Sequence, residues 1–345
     1  MEVEEIVSGI RAYDGPQLNI MEVCGSHTGA IAKAGIYDLM PDKIRLISGP
    51  GCPVCVTGSD YIDRLIELTR EANTSLLTFG DLIRIPGSSK SLSMAKGEGA
   101  DIRIVYSPLD AVTLAKENPD RRFIFAAVGF ETTAPVYALL IDEIVKNKID
   151  NIKILSAIKT MPKVIETICQ RKSGVNAFLA PGHVAVVSGY QAYEEISKKY
   201  GIPFVVAGFE PKLILEAIYI LSKMAGRAGV YNDYASLVEK KGNPKALSLI
   251  EKYFQPCDAA WRGLGLVKDS GLVLKDKYSY LDLGSKDLIE DHKKNPLCSC
   301  DKVLLGLMEP KDCPLFGKAC NPVHPQGACM VSTEGACNAY FSYQI

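Results

Sequence analysis

The sequence predicts an α/β protein with two similar parallel-sheet lobes facing a central cleft, followed by a cysteine-rich C-terminal domain. Short apolar runs alternate with helical periodicity through the first two thirds of the chain, which is typical of a parallel sheet covered by helices. Strand-end motifs recur, as in Gly129-Phe130-Glu131 and Gly208-Phe209-Glu210. Cysteine, glycine and proline dominate beyond Pro296. We therefore expect lobes at 1–120 and 121–250 and a third domain at 251–345.

Composition excludes several classes of function. The 345 residues are 47% apolar and 23% charged, with a net charge of -1 and no clustered basic surface, so nucleic acid is not an expected partner. The start of the chain is acidic, and no apolar stretch is long enough to span a bilayer. We expect a cytoplasmic protein without membrane association. In that compartment eleven cysteines indicate metal or redox chemistry.

The predicted first lobe begins with an amphipathic helix over Glu2–Tyr13 that turns Ile6, Val7 and Ile10 inward. Strands and helices then alternate: strands Leu18–Val23, Ile44–Ser48, Leu76–Phe79 and Ile102–Tyr106, with helices over Ile31–Tyr37 and beyond Asp60.

The run from Ser48 to Gly58 sets Cys52 and Cys55 on a glycine-proline turn between a strand and a helix. Reactive groups of open α/β sheets lie at such strand ends, where helix N-termini favour negative charge. A Cys-x-x-Cys pair here can cycle between dithiol and disulfide or hold a soft metal. Two buried structural cysteines are the alternative.

In the second lobe, first-turn prolines predict helices after Pro135 and Pro162, and a further helix spans Lys212–Met224. Cys169 is expected in the core. A polar, turn-prone hinge lies at Glu239–Pro244, and Ser270–Leu274 has the pattern of a strand.

Other candidate site residues follow strands. Cys24 and His27 share a strand-to-helix turn, so His27 is an acid-base partner, a second ligand or a satisfied polar side chain. Glu131 is a general base, a partner for a cation or a helix cap. His183 is open to the same functional interpretations, and burial against the backbone is the expected alternative. His292 is expected to be solvated, and His324 either supports a metal site from outside or has no such role.

Four separated thiols form a ladder in the tail, Cys298-x14-Cys313-x6-Cys320-x16-Cys337, with Cys300 and Cys329 as extra thiols. Such a segment buries too little apolar surface to fold without a metal. Four thiolates satisfy a four-iron four-sulfur cluster and equally structural zinc, and spacing alone leaves both open.

Taken together, these stretches resemble the HypD family of nickel-iron hydrogenase maturation factors over nearly the full length. The resemblance lies in Cys24-Gly25-Ser26-His27-Thr28, the run from Gly49 to Thr57, Gly129–Pro135, Pro181-Gly182-His183-Val184, Trp261-Arg262-Gly263 and the cysteine ladder. One departure is at Ser26, where the family often has threonine. Serine keeps the hydroxyl group of that threonine.

The resemblance implies an assembly scaffold rather than a conventional turnover enzyme. With a HypC-type small chaperone it would hold iron while two cyanides and one carbon monoxide are attached, before transfer to the hydrogenase large subunit. Cyanide would come from a HypE-type donor. Carried over by residue, Cys24 becomes the iron-site thiolate, and Cys52 and Cys55 become a redox-active pair. Cys298, Cys313, Cys320 and Cys337 become ligands of a 4Fe-4S cluster, which makes the tail an iron-sulfur domain.

Two other functions remain compatible with the residues. A stand-alone thiol-disulfide oxidoreductase would need only the Cys-x-x-Cys pair and a cluster. A zinc-stabilised interaction protein would need neither redox activity nor iron.

Overall fold

A computed structural model describes residues 1–171, 173–292 and 295–345. Lys293 and Lys294, in the segment predicted to be solvated around His292, lie outside the described residues. The strands are β1 (Leu18–Glu22), β2 (Ile44–Ser48), β3 (Thr74–Thr78), β4 (Ile102–Ile104), β5 (Arg122–Gly129), β6 (Ile152–Lys159), β7 (Ala177–Pro181), β8 (Pro203–Ala207), β9 (Gly229–Asn232), β10 (Phe254–Trp261) and β11 (Gly265–Leu274). The helices are α1 (Val3–Arg11), α2 (Gly25–Lys33), α3 (Ser59–Leu68), α4 (Leu92–Gly97), α5 (Asp110–Glu117), α6 (Ala134–Lys146), α7 (Met161–Gln170), α8 (Gly182–Ser188), α9 (Gln191–Tyr200), α10 (Pro211–Met224), α11 (Pro244–Tyr253), α12 (Cys300–Leu304) and α13 (Ala336–Tyr343).

The chain forms two compact units, each built from separate segments. Unit 1 comprises Met1–Cys52, Val164–Pro244 and Leu297–Ile345, and unit 2 comprises Pro53–Lys163 and Lys245–Pro296. The predicted boundaries at 120/121 and 250/251 do not coincide with this division. The cysteine-rich tail is accordingly part of unit 1 rather than a separate domain.

Unit 1 contains a parallel sheet in the order β2-β1-β7-β8-β9. The predicted lobes differ from this arrangement because β1 pairs with β7, a strand 157 residues further along the chain, at Ile20↔Ala177. The core of the unit lies under α1, α2 and α10, where Ile6, Ile20 and Ile218 are almost fully buried. Helix α1 therefore uses the predicted apolar face, with Ile6 and Ile10 buried and Val7 partly so.

Unit 2 contains a mixed sheet in the order β10-β11-β6-β5-β3-β4. Strands β3 to β6 pair in parallel as expected, whereas β10 and β11 form an antiparallel hairpin that joins the sheet at β6. Aromatic side chains fill its core, with Phe125 and Tyr137 fully buried. Over the described ranges, no helix has the length and apolarity needed to cross a membrane.

Candidate functional site

Four turns of unit 1 leave the same edge of its sheet. Because β2, β1, β7 and β8 are parallel neighbours, the residues that follow them lie at adjacent carboxyl ends. These residues are the Gly49–Cys52 run, the Cys24 turn, His183 at the start of α8, and Gly208-Phe209. The strand-end motifs of unit 1, which were predicted separately from the sequence, thus lie at one edge of the same sheet.

Cys24 is the residue immediately before α2, and its backbone is extended. Its side chain is half-buried, and the nearby backbone of Ser26 and His27 acts to lower the pKa of its thiol, while the His27 N–H itself donates to the Cys24 carbonyl oxygen at 2.9 Å. Burial nevertheless raises the pKa of the Cys24 thiol to about 12, and the nearby carboxylates of Glu22 and Glu334 add to the rise. The thiol is therefore neutral unless a bound cation replaces its proton.

Glu22 is a buried carboxyl group that sequence analysis did not single out, although it is the last residue of β1 before the cysteine turn. Its Oε2 accepts the N–H of Cys24 at 3.1 Å, and its Oε1 accepts the Thr28 hydroxyl. Burial raises the pKa of Glu22 to about 7, because desolvation outweighs these hydrogen bonds. The Cys24 turn is thus held by a carboxyl group that can carry a proton near neutral pH.

His27 is fully buried on the first turn of α2. Its Nε2 lies 2.9 Å from the Gly208 carbonyl oxygen, so Nε2 carries the hydrogen and donates it. Nδ1 then has a free lone pair, with no hydrogen-bond partner in the described part of the chain. Burial lowers the pKa of His27 to about 4, which keeps the ring neutral.

Phe209 lies between the two histidines of this edge. Its ring centroid is 4.4 Å from that of His27 and 4.1 Å from that of His183. His183 is exposed, unlike His27. The expectation that His183 is buried against backbone is therefore wrong.

The glycine-proline turn before Cys52 packs against the backbone of Cys24. Gly51 accepts the N–H of Gly25 at 3.0 Å, and a Cβ on Gly51 would lie 2.3 Å from the Cys24 nitrogen. Only glycine permits this approach. Cys52 and Cys55 are both buried, at 3% and 1% exposure, and the division between the units falls just after Cys52.

In the tail, cysteines surround a cavity that encloses about 310 Å³, part of it open to solvent; they are Cys298, Cys300, Cys313, Cys320 and Cys337. Burial raises the pKa of Cys337, and the other four sulfurs raise it further, so all these thiols are within electrostatic reach. No set of three or more His, Cys, Asp or Glu side chains within the described ranges converges as ligands of a single metal ion do.

The sulfur donors around this cavity are of the type that holds an iron-sulfur cluster or zinc. Cys298 and Cys300 have their sulfurs 3.1 Å apart, and Gly327 lies against both. Burial raises the pKa of the Cys320 thiol, whereas the N–H of Gln326, which donates to its sulfur at 3.4 Å, acts to lower it. His324 is exposed and Cys329 is buried, and neither lines the cavity.

The tail contacts the cysteine turn within unit 1. The Ser26 hydroxyl donates to Glu334 Oε1 at 3.1 Å, and the rings of Tyr37 and Tyr340 meet edge-on at 5.6 Å. Helix α13, which carries Cys337, packs on α2, which begins beside Cys24. The tail therefore helps to enclose the Cys24 turn.

Glu131 belongs to unit 2 and is also buried. Its Oε1 accepts the N–H of Met161 at 2.7 Å, at the start of α7 rather than of the helix that follows it in sequence. Its Oε2 has no hydrogen-bond partner among the described residues. Burial raises the pKa of Glu131 to about 7.

Two remaining expectations concern single residues. Cys169 is half-buried on α7, so it is only partly a core residue. His292 is exposed, as expected, and pairs with Glu290 at 2.9 Å.

These features define an α/β protein with a cysteine turn at the edge of a parallel sheet and a cysteine-lined cavity in the same unit. The family model HypD, described as the hydrogenase formation hypA family, matches residues 2–344. The chain belongs to this HypD family of hydrogenase maturation factors.

Named relatives agree with this assignment. The hydrogenase maturation factor HypD of Escherichia coli K12 is 42% identical over 335 residues, covering 95% of this chain and 89% of its own. Those of Azotobacter vinelandii and Cupriavidus necator are 40% and 39% identical, covering 95% and 99% of this chain and 89% and 94% of their own.

Proposed function

We propose that this protein is a scaffold on which the Fe(CN)2CO unit of nickel-iron hydrogenase is assembled, with a HypC-type chaperone and a HypE-type cyanide donor. The hydrogenase large subunit receives the finished unit. The observation that carries the proposal is that Cys24 and the cysteine-lined cavity belong to one folded unit, in which Glu334 of the tail contacts Ser26.

Cys24 is the proposed thiolate for the iron that is being assembled. Soft thiolates suit low-valent iron that carries cyanide and carbon monoxide. The iron would displace the thiol proton, and the backbone of Ser26 and His27, which acts to lower the pKa of this thiol, would favour the resulting thiolate. His27 supports this role through the free Nδ1 lone pair of its neutral ring, which would serve as a second ligand.

Cys298, Cys313, Cys320 and Cys337 are the proposed ligands of a 4Fe-4S cluster in the tail. When bound, such a cluster supplies electrons one at a time. The chain contributes a cavity lined by these sulfurs and an N–H donor to Cys320. Hydrogen bonds to cluster sulfurs are among the features that set its potential.

Cys52 and Cys55 are the proposed redox pair. Release of cyanide from a thiocyanate is a two-electron reduction: RSCN and two thiols give RSH, HCN and one disulfide. The pair would supply both electrons and both protons, and two one-electron donations together with two protons would later restore the dithiol. Glu131 is proposed as a proton carrier, because its Oε2 is unpaired and its pKa lies near 7.

An infrared spectrum of anaerobic protein, co-expressed with its small chaperone and cyanide donor, tests the iron assignment. We expect cyanide and carbon monoxide bands in the wild-type protein and in the control Cys169→Ala, and none in Cys24→Ala. Iron and acid-labile sulfide in the tail should be equal in all three. Cyanide bands that persist in Cys24→Ala would refute the role of Cys24. Disulfide reductase turnover without any partner would instead favour the stand-alone oxidoreductase.

A further inference from the structure

A second cavity, within unit 2, lies over the sheet at Gly271, where the strand carries no side chain. Cys257 on β10 is opposite Gly271 on β11, and Gly271 is opposite Lys159 on β6. Residues directly opposite on neighbouring strands point to the same face. A Cβ on Gly271 would lie 2.9 Å from the Cys257 sulfur, so the glycine leaves room for the side chains on either side of it.

The cavity encloses about 390 Å³, part of it open to solvent, which is near the lower end of the range for ligand pockets of roughly 300–1,000 Å³. Lys159, Asp60 and Cys257 provide polar groups to its lining, and Leu272, Val273 and Leu288 provide apolar surface. A small ligand with one polar end and one apolar end matches this lining.

Lys159 is the buried cation of this cavity, and its ammonium lacks a direct partner among the residues that the structure describes. Its side chain is only 4% exposed, yet its ammonium has no hydrogen-bond acceptor or ion-pair partner in the described ranges. Its contact is the indole ring of Trp261, with Nζ 5.7 Å from the ring centroid. Burying an ammonium without an acceptor is costly, so an acceptor from outside would stabilise it.

The nearby carboxylates are engaged elsewhere. Asp60 accepts the N–H groups of Tyr61 at 2.7 Å and Glu290 at 2.8 Å. Asp291 likewise accepts the N–H groups of Ser59 and Gly263 at 3.2 and 3.1 Å. They raise the pKa of Lys159, but burial outweighs them and lowers it to about 8.

We propose that this cavity binds a short-chain monocarboxylate, with its carboxylate on the Lys159 ammonium and its alkyl group on Leu272, Val273 and Leu288. One negative charge matches one unpaired cation, whereas a dianion would be repelled by Asp60 and Asp291. None of these residues takes part in the assembly chemistry proposed above, so this site stands independently of it.

Trp261 makes the proposal directly measurable, because it is the only tryptophan of the chain and lies under Lys159. Tryptophan emission should change saturably when acetate, propionate or butyrate is added at constant ionic strength. Acetamide has the same shape as acetate without the charge, and it should bind at least tenfold more weakly. The relaxation of [1-13C]acetate provides a second readout.

A matched pair of variants assigns the effect to one ammonium. Lys159→Met should weaken acetate binding at least tenfold. Lys153→Met should leave it unchanged, because Lys153 lies on the same strand but donates to the Tyr280 carbonyl.

The pH dependence can be measured in the wild-type protein alone. The titratable groups that line the cavity with Lys159 are Asp60 on α3 and Cys257 and Asp258 on β10, and Arg262 and Asp291 in the neighbouring loops also act on Lys159. Burial raises the pKa of Cys257 to about 11, so its thiol does not ionise between pH 6.5 and 9.5. Affinity should be constant below pH 7 and fall about tenfold per pH unit above 8, as Lys159 loses its proton.

Three results would overturn the proposal. They are equal binding of acetamide and acetate, unchanged affinity in Lys159→Met, and the absence of a saturable wild-type response in both readouts.

Discussion

Glu334 lies so close to Gly25 that any side chain at position 25 would collide with it: a Cβ there would be 2.3 Å from the Glu334 Cβ. The same glutamate accepts the Ser26 hydroxyl at 3.1 Å. The first turn of α2 and the cysteine-rich tail therefore fit together only because residue 25 is a glycine.

Replacing this glycine should loosen the tail from α2. Gly25→Ala should destabilise the protein by about 1–3 kcal/mol, because the extra methyl group forces Glu334 and its backbone to move. Urea unfolding under anaerobic conditions measures the change. Gly29→Ala is the matched control on the same helix, because nothing lies within 4 Å of its added carbon. It should be neutral or stabilise by up to about 1 kcal/mol. Equal stability of both variants would show that the tail does not depend on this contact.

Gly327 should be required for cluster binding. Its added Cβ would lie 2.5 Å from the Cys300 sulfur and 2.6 Å from the Cys298 sulfur. Gly327→Ala should therefore displace both sulfurs and lower the iron and acid-labile sulfide content severalfold, with a weaker visible absorbance. Gly29→Ala again serves as the control. Full cluster content in Gly327→Ala would place the ligands elsewhere.

Cys298 and Cys300 are alternative candidates for one ligand of the proposed cluster, since their sulfurs are 3.1 Å apart. We expect Cys298→Ser to abolish the cluster and Cys300→Ser to retain it, because Cys298 belongs to the ladder of the proposed ligands. Iron analysis and electron paramagnetic resonance of the reduced proteins distinguish the two. The opposite pattern would exchange their assignments.

Glu131 should make stability depend on pH. Its pKa rises from a usual value of 4.5 to about 7 in the folded protein, so the folded state binds the proton more tightly than the unfolded state. Its contribution is complete below pH 4.5 and is lost as the pH rises through 7. Relative to Glu131→Gln, the wild-type protein should lose about 3 kcal/mol of unfolding free energy between pH 4.5 and 8. Urea unfolding of both proteins at several pH values measures this difference, which parallel curves would contradict.

Local features were predictable from the sequence where one residue pattern decides the structure. Strand β2 has the predicted bounds, Ile44–Ser48, because a short apolar run before a glycine-proline turn has few alternatives. Helix α2 starts six residues earlier than expected, since Gly25 to Ala30 lack an apolar stripe but follow a residue with extended backbone.

Long-range features were not predictable in this way. Pairing of β1 with β7 depends on a contact that neither strand encodes by itself. The β10–β11 hairpin lies where the apolar periodicity fades, because it is stabilised by joining β6. Glu22 resembles an ordinary polar strand residue, and only its position beside Cys24 and Thr28 reveals its burial.

The three-segment construction of unit 1 also determines when its cysteine turn can be completed during synthesis. A nascent chain that ends before β7 can pair β1 with β2 but leaves the other edge of β1 open, and one that ends before Glu334 leaves the first turn of α2 uncovered. Cys24 is made well before β7 and Glu334, so its surroundings are finished only after those later segments have also left the ribosome. Until then the thiol that emerges first stays open to the surrounding solution.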